Sequence, residues 1–210
     1  MIKAIIFDLD GVLVDACEWH YQALNEALKS VAGTEINMDE HVTTFNGLPT
    51  RQKLEILTAQ GRIGQDCHDK VWDEKQRLTE SVIKQNASVD HDKKQMHLRL
   101  AVEGYVLGCV TNSIRRTANL MLEKTGQMEH LALVITNEDV ISPKPSPEGY
   151  VQAMDNFGVL PQETLIVEDS DKGYLAAMKS GAHVLRVKNA THVNLTAVLS
   201  KIKSVGMEDT

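Results

Sequence analysis

The chain has 210 residues, of which 42% are apolar and 24% are charged, and its formal net charge is −7. This length accommodates one large domain or one domain with an insert, and the apolar share is sufficient for a buried core and too high for a disordered chain. The negative charge excludes an extended surface for nucleic acid or for an anionic membrane, although it is compatible with a small basic pocket.

The first predicted elements are one strand and a long helical segment. Residues 2–7 form an apolar run typical of a buried strand, and apolar residues between Cys17 and Val31 recur at intervals of three and four, as in an amphipathic helix. The sequence therefore predicts an all-helical domain (15–82) inserted directly after the first strand. Two further helices of this insert are expected at 52–60 and 69–83, with glycine-containing breaks at 33, 47–49 and 61–64.

From residue 102 onward, apolar runs alternate with amphipathic segments. This alternation predicts parallel strands joined by crossover helices, and hence an α/β core formed by residues 1–14 and 83–210. The predicted strands are 105–110, 131–136, 164–167 and 182–187. The predicted helices are 114–125, 147–157 (with Ser146 as N-cap and Pro147 at the first position), 172–180 and 194–203, followed by frayed residues from 205 onward.

Asp8 and Asp10 directly follow the first predicted strand. Residues i and i+2 of an extended chain point their side chains the same way, so the two carboxylates face one site and repel each other unless a cation or a proton intervenes. One carboxylate can attack phosphorus and form an acyl phosphate while the other transfers protons. A polar turn in which Asp8 caps a helix fits this short motif equally well.

Thr111 and Asn112 end the second predicted core strand. A hydroxyl and an amide at this point can bind phosphate oxygens, assisted by the N-terminus of the following helix. Taken alone, however, the pair is better explained as a simple helix N-cap.

Lys144 lies between Pro143 and Pro145, which stiffen its loop. A rigidly held ammonium group is suited to stabilising the charge of a transferring phosphoryl group. The alternative is a solvated lysine in a proline-rich surface turn.

Glu168 and Asp169 follow the strand predicted at 164–167. Mg²⁺ prefers oxygen ligands and is usually held by one or two carboxylates together with substrate phosphate. Asp8 with Glu168 or Asp169 would supply such a set. Capping of the next helix is the alternative role, which Ser170 or Asp171 could fill instead.

These four motifs, in this order and at these separations, resemble those of the haloacid dehalogenase superfamily, and in particular its phosphatase and β-phosphoglucomutase-like branch. The resemblance covers nearly the whole chain and implies a three-layer Rossmann-like core with an inserted helical cap domain. It implies that Asp8 is the nucleophile and a Mg²⁺ ligand. It also implies that Asp10 is the general acid/base and binds the metal through its backbone carbonyl. Dehalogenases of the superfamily share the first aspartate but lack the second, so Asp10 favours phosphoryl transfer.

The same resemblance assigns roles to the other motifs. It implies that Thr111 and Lys144 bind the phosphoryl group and that Glu168 and Asp169 complete the metal site. Asn112, at the end of the second core strand, is predicted to bind substrate.

In the cap, the resemblance implies four substrate-facing residues. His20 matches a histidine near the acid/base, Gly47 and Arg51 bound a Gly-x-x-x-Arg-like loop, and Lys75 matches a lysine that mutases use for a second phosphate. Three of them have a simpler alternative: His20 could simply flank the apolar face of its helix, and Arg51 and Lys75 could be solvated.

One segment departs from this branch. Residues 86–97 lack its usual Pro-Gly turn, and this stretch is interpreted as an altered loop near the cap hinge. The departure concerns cap closure and substrate size rather than the core motifs.

Three functions are compatible with these motifs. The leading hypothesis is a Mg²⁺-dependent phosphatase that hydrolyses a small phosphorylated metabolite such as a sugar phosphate. The second is a β-phosphoglucomutase-like isomerase, and the third is a non-catalytic binding protein. We expect a monomer that binds neither nucleic acid nor membrane. The three cysteines lack metal-ligand spacing, and neither a signal peptide nor a membrane-spanning run is recognisable, so the expected location is the cytoplasm.

Overall fold

The structure is a computed structural model, and it describes residues 1–208. The described chain divides into two compact units. The α/β unit comprises Met1–Asp15 and the chain from Ser88 onward, and the helical unit comprises Ala16–Ala87. No helix within residues 1–208 is long and apolar enough to cross a membrane.

A five-stranded parallel sheet forms the centre of the α/β unit. Its strands are β1 (Ala4–Phe7), β2 (Val106–Val110), β3 (Leu133–Ile135), β4 (Thr164–Glu168) and β5 (His183–Arg186). Their order in space is β3-β2-β1-β4-β5, and every neighbouring pair is parallel. Strands β1 and β4 are buried along their whole length, as is typical of central strands with both faces covered. The predicted fold class is confirmed, and the strands lie where the sequence predicts them.

The helical unit contains four α-helices, a π-helical turn and a short 3₁₀ helix at Gln65–Cys67. Helix α1 is amphipathic, as predicted, and packs against α4. Gly33 ends α1 with a φ of 64°, a left-handed conformation that favours glycine. The predicted domain boundary at residue 82 falls inside α4. The elements are α1 (Cys17–Ala32), α2 (Met38–Glu40), the π-helical turn (His41–Phe45), α3 (Thr50–Ala59) and α4 (His68–Asn86).

Helices on the two faces of the sheet complete three layers in the α/β unit. They are α5 (His91–Val102), α6 (Arg115–Lys124), α7 (Glu148–Phe157), α8 (Asp171–Lys179) and α9 (Leu195–Glu208). Helix α7 packs on β1, β2 and β3 and contacts α8, which packs on β4 and β5. Helix α5 packs on β2 and contacts α9, which packs on β5.

Three local predictions were wrong. The N-cap of α7 is Pro147 rather than Ser146, so the helix begins one residue later than predicted. The Ser146 hydroxyl accepts a hydrogen bond from the Glu148 amide at 3.4 Å. The segment 86–97 is mostly helix rather than loop, because Asp90 caps α5 by accepting a hydrogen bond from the Lys93 amide at 2.9 Å. Residues 205–208 continue α9 with Val205 buried rather than frayed, and residues 209–210 lie outside the described residues.

Candidate active site

Polar residues lie at the carboxyl ends of three neighbouring strands of the α/β unit. Asp8 follows β1, Thr111 follows β2, and Glu168 is the last residue of β4. Phe7 is in register with Val167, and the Asp8 amide donates to the Val167 carbonyl at 3.0 Å, so Asp8 and Glu168 lie side by side. This edge of a parallel sheet is where α/β proteins gather ligands.

Lys144 joins the two carboxylates. Its Nζ lies 2.7 Å from Asp8 Oδ1 and 2.6 Å from Glu168 Oε1. Only 6% of the residue is exposed, so the alternative of a solvated surface lysine is wrong. Burial opposes the charged form, but the carboxylates of Asp8 and Glu168 outweigh it and raise the pKa of Lys144 above its ordinary value. The ammonium group is therefore a fixed positive charge in this site.

Asn112 holds the lysine loop. Its Nδ2 donates to the Lys144 carbonyl at 3.1 Å, and its Oδ1 accepts from the Lys144 amide at 2.9 Å. The structure thus gives Asn112 a contact that fixes the backbone beneath the ammonium group. The neighbouring Thr111 is 3% exposed, and its Oγ1 accepts from the Ser113 amide at 3.0 Å.

Three carboxylates form one cluster beside the lysine. Asp8, Glu168 and Asp169 each offer an oxygen, and these oxygens lie within 4.8 Å of one another. Burial first, and then Glu168, raise the pKa of Asp8 well above its ordinary value, although Lys144 opposes this shift. Burial and the Glu168 and Asp10 carboxylates likewise raise the pKa of Asp169 to about 7. Like charges in a buried site therefore oppose ionisation here.

The residues of this cluster fit a divalent cation. Asp169 Oδ1 is buried and has no hydrogen-bond partner within the described residues. Gly11, with a φ of 83°, packs so closely that a Cβ there would overlap Asp169 Oδ2, and a Cβ on Gly173 would overlap Glu168 Oε1. An all-oxygen donor set of this kind suits Mg²⁺.

The two acidic residues after β4 differ in their surroundings. Glu168 Oε1 accepts from Lys144 and, at 2.7 Å, from the hydroxyl of Tyr150. Its Oε2 accepts from the Asp169 amide and from the amide and hydroxyl of Ser170, at 3.0 to 3.3 Å. Both oxygens of Glu168 are thus engaged by protein donors, whereas Asp169 Oδ1 accepts no hydrogen bond within the described residues.

Asp10 lies on the adjoining turn, which is tied together by a hydrogen bond of 2.7 Å from the Gly11 amide to the Val14 carbonyl. Its Oδ2 accepts from the Ser113 hydroxyl at 2.9 Å. The second aspartate of the pair is thereby linked to the loop that follows β2.

Residues 5–187 match the family described as haloacid dehalogenase-like hydrolase. The chain belongs to this family. The protein is therefore a haloacid dehalogenase-like hydrolase, and the arrangement of Asp8, Lys144 and the acidic pair after β4 is its candidate active site.

Relatives of this hydrolase include named phosphatases. The chain is 26% identical over 197 residues to a phosphorylated carbohydrates phosphatase of Thermotoga maritima, covering 91% of this chain and 86% of that protein. It is 27% identical over 188 residues to the pyrophosphatase PpaX of Bacillus velezensis, covering 86% of this chain and 80% of that protein. Among solved structures, the β-phosphoglucomutase of Clostridium difficile has a TM-score of 0.84 at 20% identity and covers 97% of this chain and 98% of its own, which shows a common fold.

In the helical unit, the structure brings two of the four predicted cap residues together. His20 of α1 and Lys75 of α4 have their Nδ1 and Nζ atoms 3.3 Å apart, and Lys75 is only 5% exposed, so it is not on a solvated helix face. Arg51 is mostly exposed and pairs with Asp69 at 3.2 Å.

The remaining predicted cap residue, Gly47, precedes α3 with a φ of 73°. This left-handed conformation explains the residue type at that turn independently of any role in substrate binding.

Two residues at the site were not singled out from the sequence. Ser113 directly follows Asn112, but nothing in its sequence position indicates that its hydroxyl reaches Asp10, 103 residues away. In the sequence, Tyr150 looks like an ordinary core residue of α7. Its contact with Glu168, 18 residues away, is not indicated by any local pattern. Both contacts depend on tertiary packing.

Proposed function

We propose that this hydrolase is a Mg²⁺-dependent phosphatase that cleaves a small phosphate monoester such as a sugar phosphate, through a phosphoryl group carried on Asp8. The observation that supports it most is the buried ion pair between Lys144 and Asp8, directly beside the carboxylates of Glu168 and Asp169. This combination places a nucleophile, a fixed positive charge and metal-binding oxygens at one point.

In the first half-reaction, a carboxylate oxygen of Asp8 attacks phosphorus and the bond from phosphorus to the ester oxygen breaks. The Asp10 carboxyl donates its proton to the departing alkoxide, so the alcohol leaves neutral. Lys144 and the hydroxyl of Thr111 bind the phosphoryl oxygens during this transfer.

In the second half-reaction, Asp10 takes a proton from a water molecule as the water oxygen attacks the phosphorus of the aspartyl phosphate. The bond between phosphorus and Asp8 breaks, phosphate leaves, and both aspartates return to their starting states.

The carboxylates crowded around Asp8 favour a bound cation in this chemistry. Burial and neighbouring carboxylates disfavour the ionised form that must attack phosphorus. Bound Mg²⁺, held by Asp8, Asp169 and the backbone carbonyl of Asp10, would supply positive charge to the cluster and to the phosphoryl oxygens. Glu168 would keep Lys144 in place beside the metal ion.

The experiment is phosphate release from a panel of small phosphate monoesters and pyrophosphate, measured with Mg²⁺ and with chelator. We expect Mg²⁺-dependent release by the wild type and none by Asp8→Asn. Asp15→Asn is the matched control, because Asp15 is exposed and lies seven residues further along the same segment. Release that is unchanged in Asp8→Asn would contradict the proposal. Metal binding without release from any ester would instead support a non-catalytic role.

A sugar-phosphate mutase is the second candidate, and the observation that favours it is the contact between the buried Lys75 and the half-buried His20. A mutase needs a cap group that binds the second phosphate of a bisphosphorylated intermediate. The test is conversion of sugar 1-phosphates with a bisphosphate primer. Stimulation of turnover by the primer, lost in Lys75→Met, would favour the mutase over the phosphatase.

A further inference from the structure

Tyr150 contacts two charged groups of the candidate active site at once. It lies in α7 and is fully buried. Its hydroxyl donates to Glu168 Oε1 at 2.7 Å, and the Lys144 ammonium group lies 4.8 Å from the centroid of its ring. A phenol is protonated near neutral pH, so this hydroxyl acts as a donor to the carboxylate.

The Lys144 ammonium group is shared between two competing carboxylates. It lies 2.7 Å from Asp8 and 2.6 Å from Glu168, so its position depends on how strongly each carboxylate attracts it. The hydroxyl of Tyr150 binds the same oxygen of Glu168 that Lys144 binds. A second donor on this oxygen satisfies part of its charge and weakens its attraction for the lysine.

The ring acts on the ammonium group from another side. A cation over an aromatic face is attracted by the ring quadrupole, and this attraction is larger in a site removed from water. The ring therefore attracts the ammonium group towards α7, while the hydroxyl shifts the balance of the ammonium group's attraction between Glu168 and Asp8.

We propose that Tyr150 is a positioning residue for Lys144, which keeps the ammonium group available to Asp8 and to the phosphoryl group rather than bound mainly to Glu168. This inference rests on the proposed function, since the ammonium group must bind phosphate oxygens there. Tyr150 itself does not touch the substrate in this proposal.

The test is Tyr150→Phe, which removes one buried oxygen and keeps the ring. Titration calorimetry with inorganic phosphate in the presence of Mg²⁺ gives the dissociation constant and the stoichiometry separately. We expect the phosphate dissociation constant to rise about tenfold and kcat to fall about 10- to 100-fold, with the stoichiometry near one. Tyr105→Phe is the control, because Tyr105 precedes the amino end of β2, at the opposite edge of the sheet.

A merely structural role gives a different result. If the hydroxyl only supports folding, the stoichiometry falls and the dissociation constant does not change, and this outcome would overturn the proposal. Complete loss of cooperative unfolding in Tyr150→Phe would overturn it as well. A further arm repeats the substitution in a Lys144→Met background. There we expect less than a twofold effect on the dissociation constant, and a tenfold effect would contradict action through Lys144.

Phosphate release and phosphate binding by the wild type distinguish a failure of this inference from a failure of the proposed function. If it neither releases phosphate from any ester nor binds phosphate with Mg²⁺, the proposed function fails. If it does both and Tyr150→Phe matches it, only the role of Tyr150 fails.

Discussion

The hydroxyl of Ser113 donates a hydrogen bond to the carboxylate of Asp10, with 2.9 Å between Oγ and Oδ2. This contact joins the loop after β2 to the turn after β1. The amide of Ser113 donates to Thr111 Oγ1 at 3.0 Å, which fixes the backbone from which this hydroxyl projects. Ser113 therefore orients the carboxyl group that the proposed mechanism uses as acid and base.

Ser113→Ala is expected to lower kcat about tenfold, because one hydrogen bond to a charged group of the reaction is lost. Ser113→Thr keeps a hydroxyl on the same Cβ and should retain most of the activity. Steady-state kinetics on the best phosphate ester measure both. Wild-type kcat in Ser113→Ala would mean that Asp10 is oriented by other contacts.

Gly11→Ala is expected to weaken Mg²⁺ binding more than tenfold, since the added Cβ would overlap Asp169 Oδ2 and displace that carboxylate. Gly158→Ala is the matched control, because Gly158 also has a left-handed φ, of 64°, but has open space around its Cβ position. Both variants carry a left-handed strain of about 1 to 2 kcal/mol, so a difference between them isolates the contact with Asp169. Calorimetric titration of each apo protein with Mg²⁺ provides the comparison, and equal affinities would refute it.

The main elements of the fold were predictable because their signals are local. Apolar runs of four to six residues identified the strands, and the residues that follow them, such as Asp8 and Asp169, marked the ligand-binding edge. Helix α5 was overlooked because two residues of its buried face, Lys93 and His97, look polar in the sequence. Lys93 lies with its stem buried and donates to the Ala190 carbonyl at 2.7 Å, a contact 97 residues away that no local pattern indicates.

Contacts between side chains of distant segments account for the remaining differences in the site. Asn112 reads as a group available to substrate, but its amide is oriented by two hydrogen bonds to the backbone of Lys144, 32 residues further along the chain. The start of α7 likewise departs from the usual preference for proline at the first helical position. At Asn112, a long-range contact therefore sets the orientation of the side chain.

Asp169→Asn is expected to stabilise the metal-free protein. The folded state raises the pKa of Asp169 from 3.8 to about 7, so this group contributes stability that is lost as the pH rises from about 4 to 7. Removing the charge should raise the midpoint of thermal unfolding at pH 7.5 in chelator by about 2 to 6 °C. Asp155→Asn, which removes an exposed carboxylate of α7, should leave the midpoint of thermal unfolding unchanged.

Added Mg²⁺ should make the wild type unfold at a higher temperature than Asp169→Asn, the reverse of the order in chelator. Added metal is expected to raise the unfolding midpoint of the wild type, because it binds only the folded cluster, and to have little effect on Asp169→Asn. Scanning calorimetry with chelator and with Mg²⁺ measures both effects. A variant that the metal stabilises as much as the wild type would show that Asp169 is not a ligand.

His97 is expected to make the protein less stable in acid. It is fully buried in α5 with its ring 5.3 Å from that of Phe7. Burial, followed by His130 and Lys93, lowers its pKa from 6.5 to about 4, while Asp90 opposes the shift. Between these values the unfolded chain binds the proton and the folded protein does not, so stability falls as the pH decreases from about 6.5 to 4.

The size of this loss of stability follows from the lowered pKa of His97. His97 alone should remove about 2 to 3 kcal/mol of unfolding free energy between pH 7.5 and 4.5. Urea unfolding of the wild type and His97→Gln at both pH values isolates this contribution, because His41, whose pKa burial lowers to about 3, is present in both proteins. His91→Gln, an exposed histidine of the same helix, should lose as much stability in acid as the wild type. If His97→Gln also loses as much as the wild type, then His97 is protonated in the folded state at pH 4.5 and a carboxylate such as Asp90 stabilises it there.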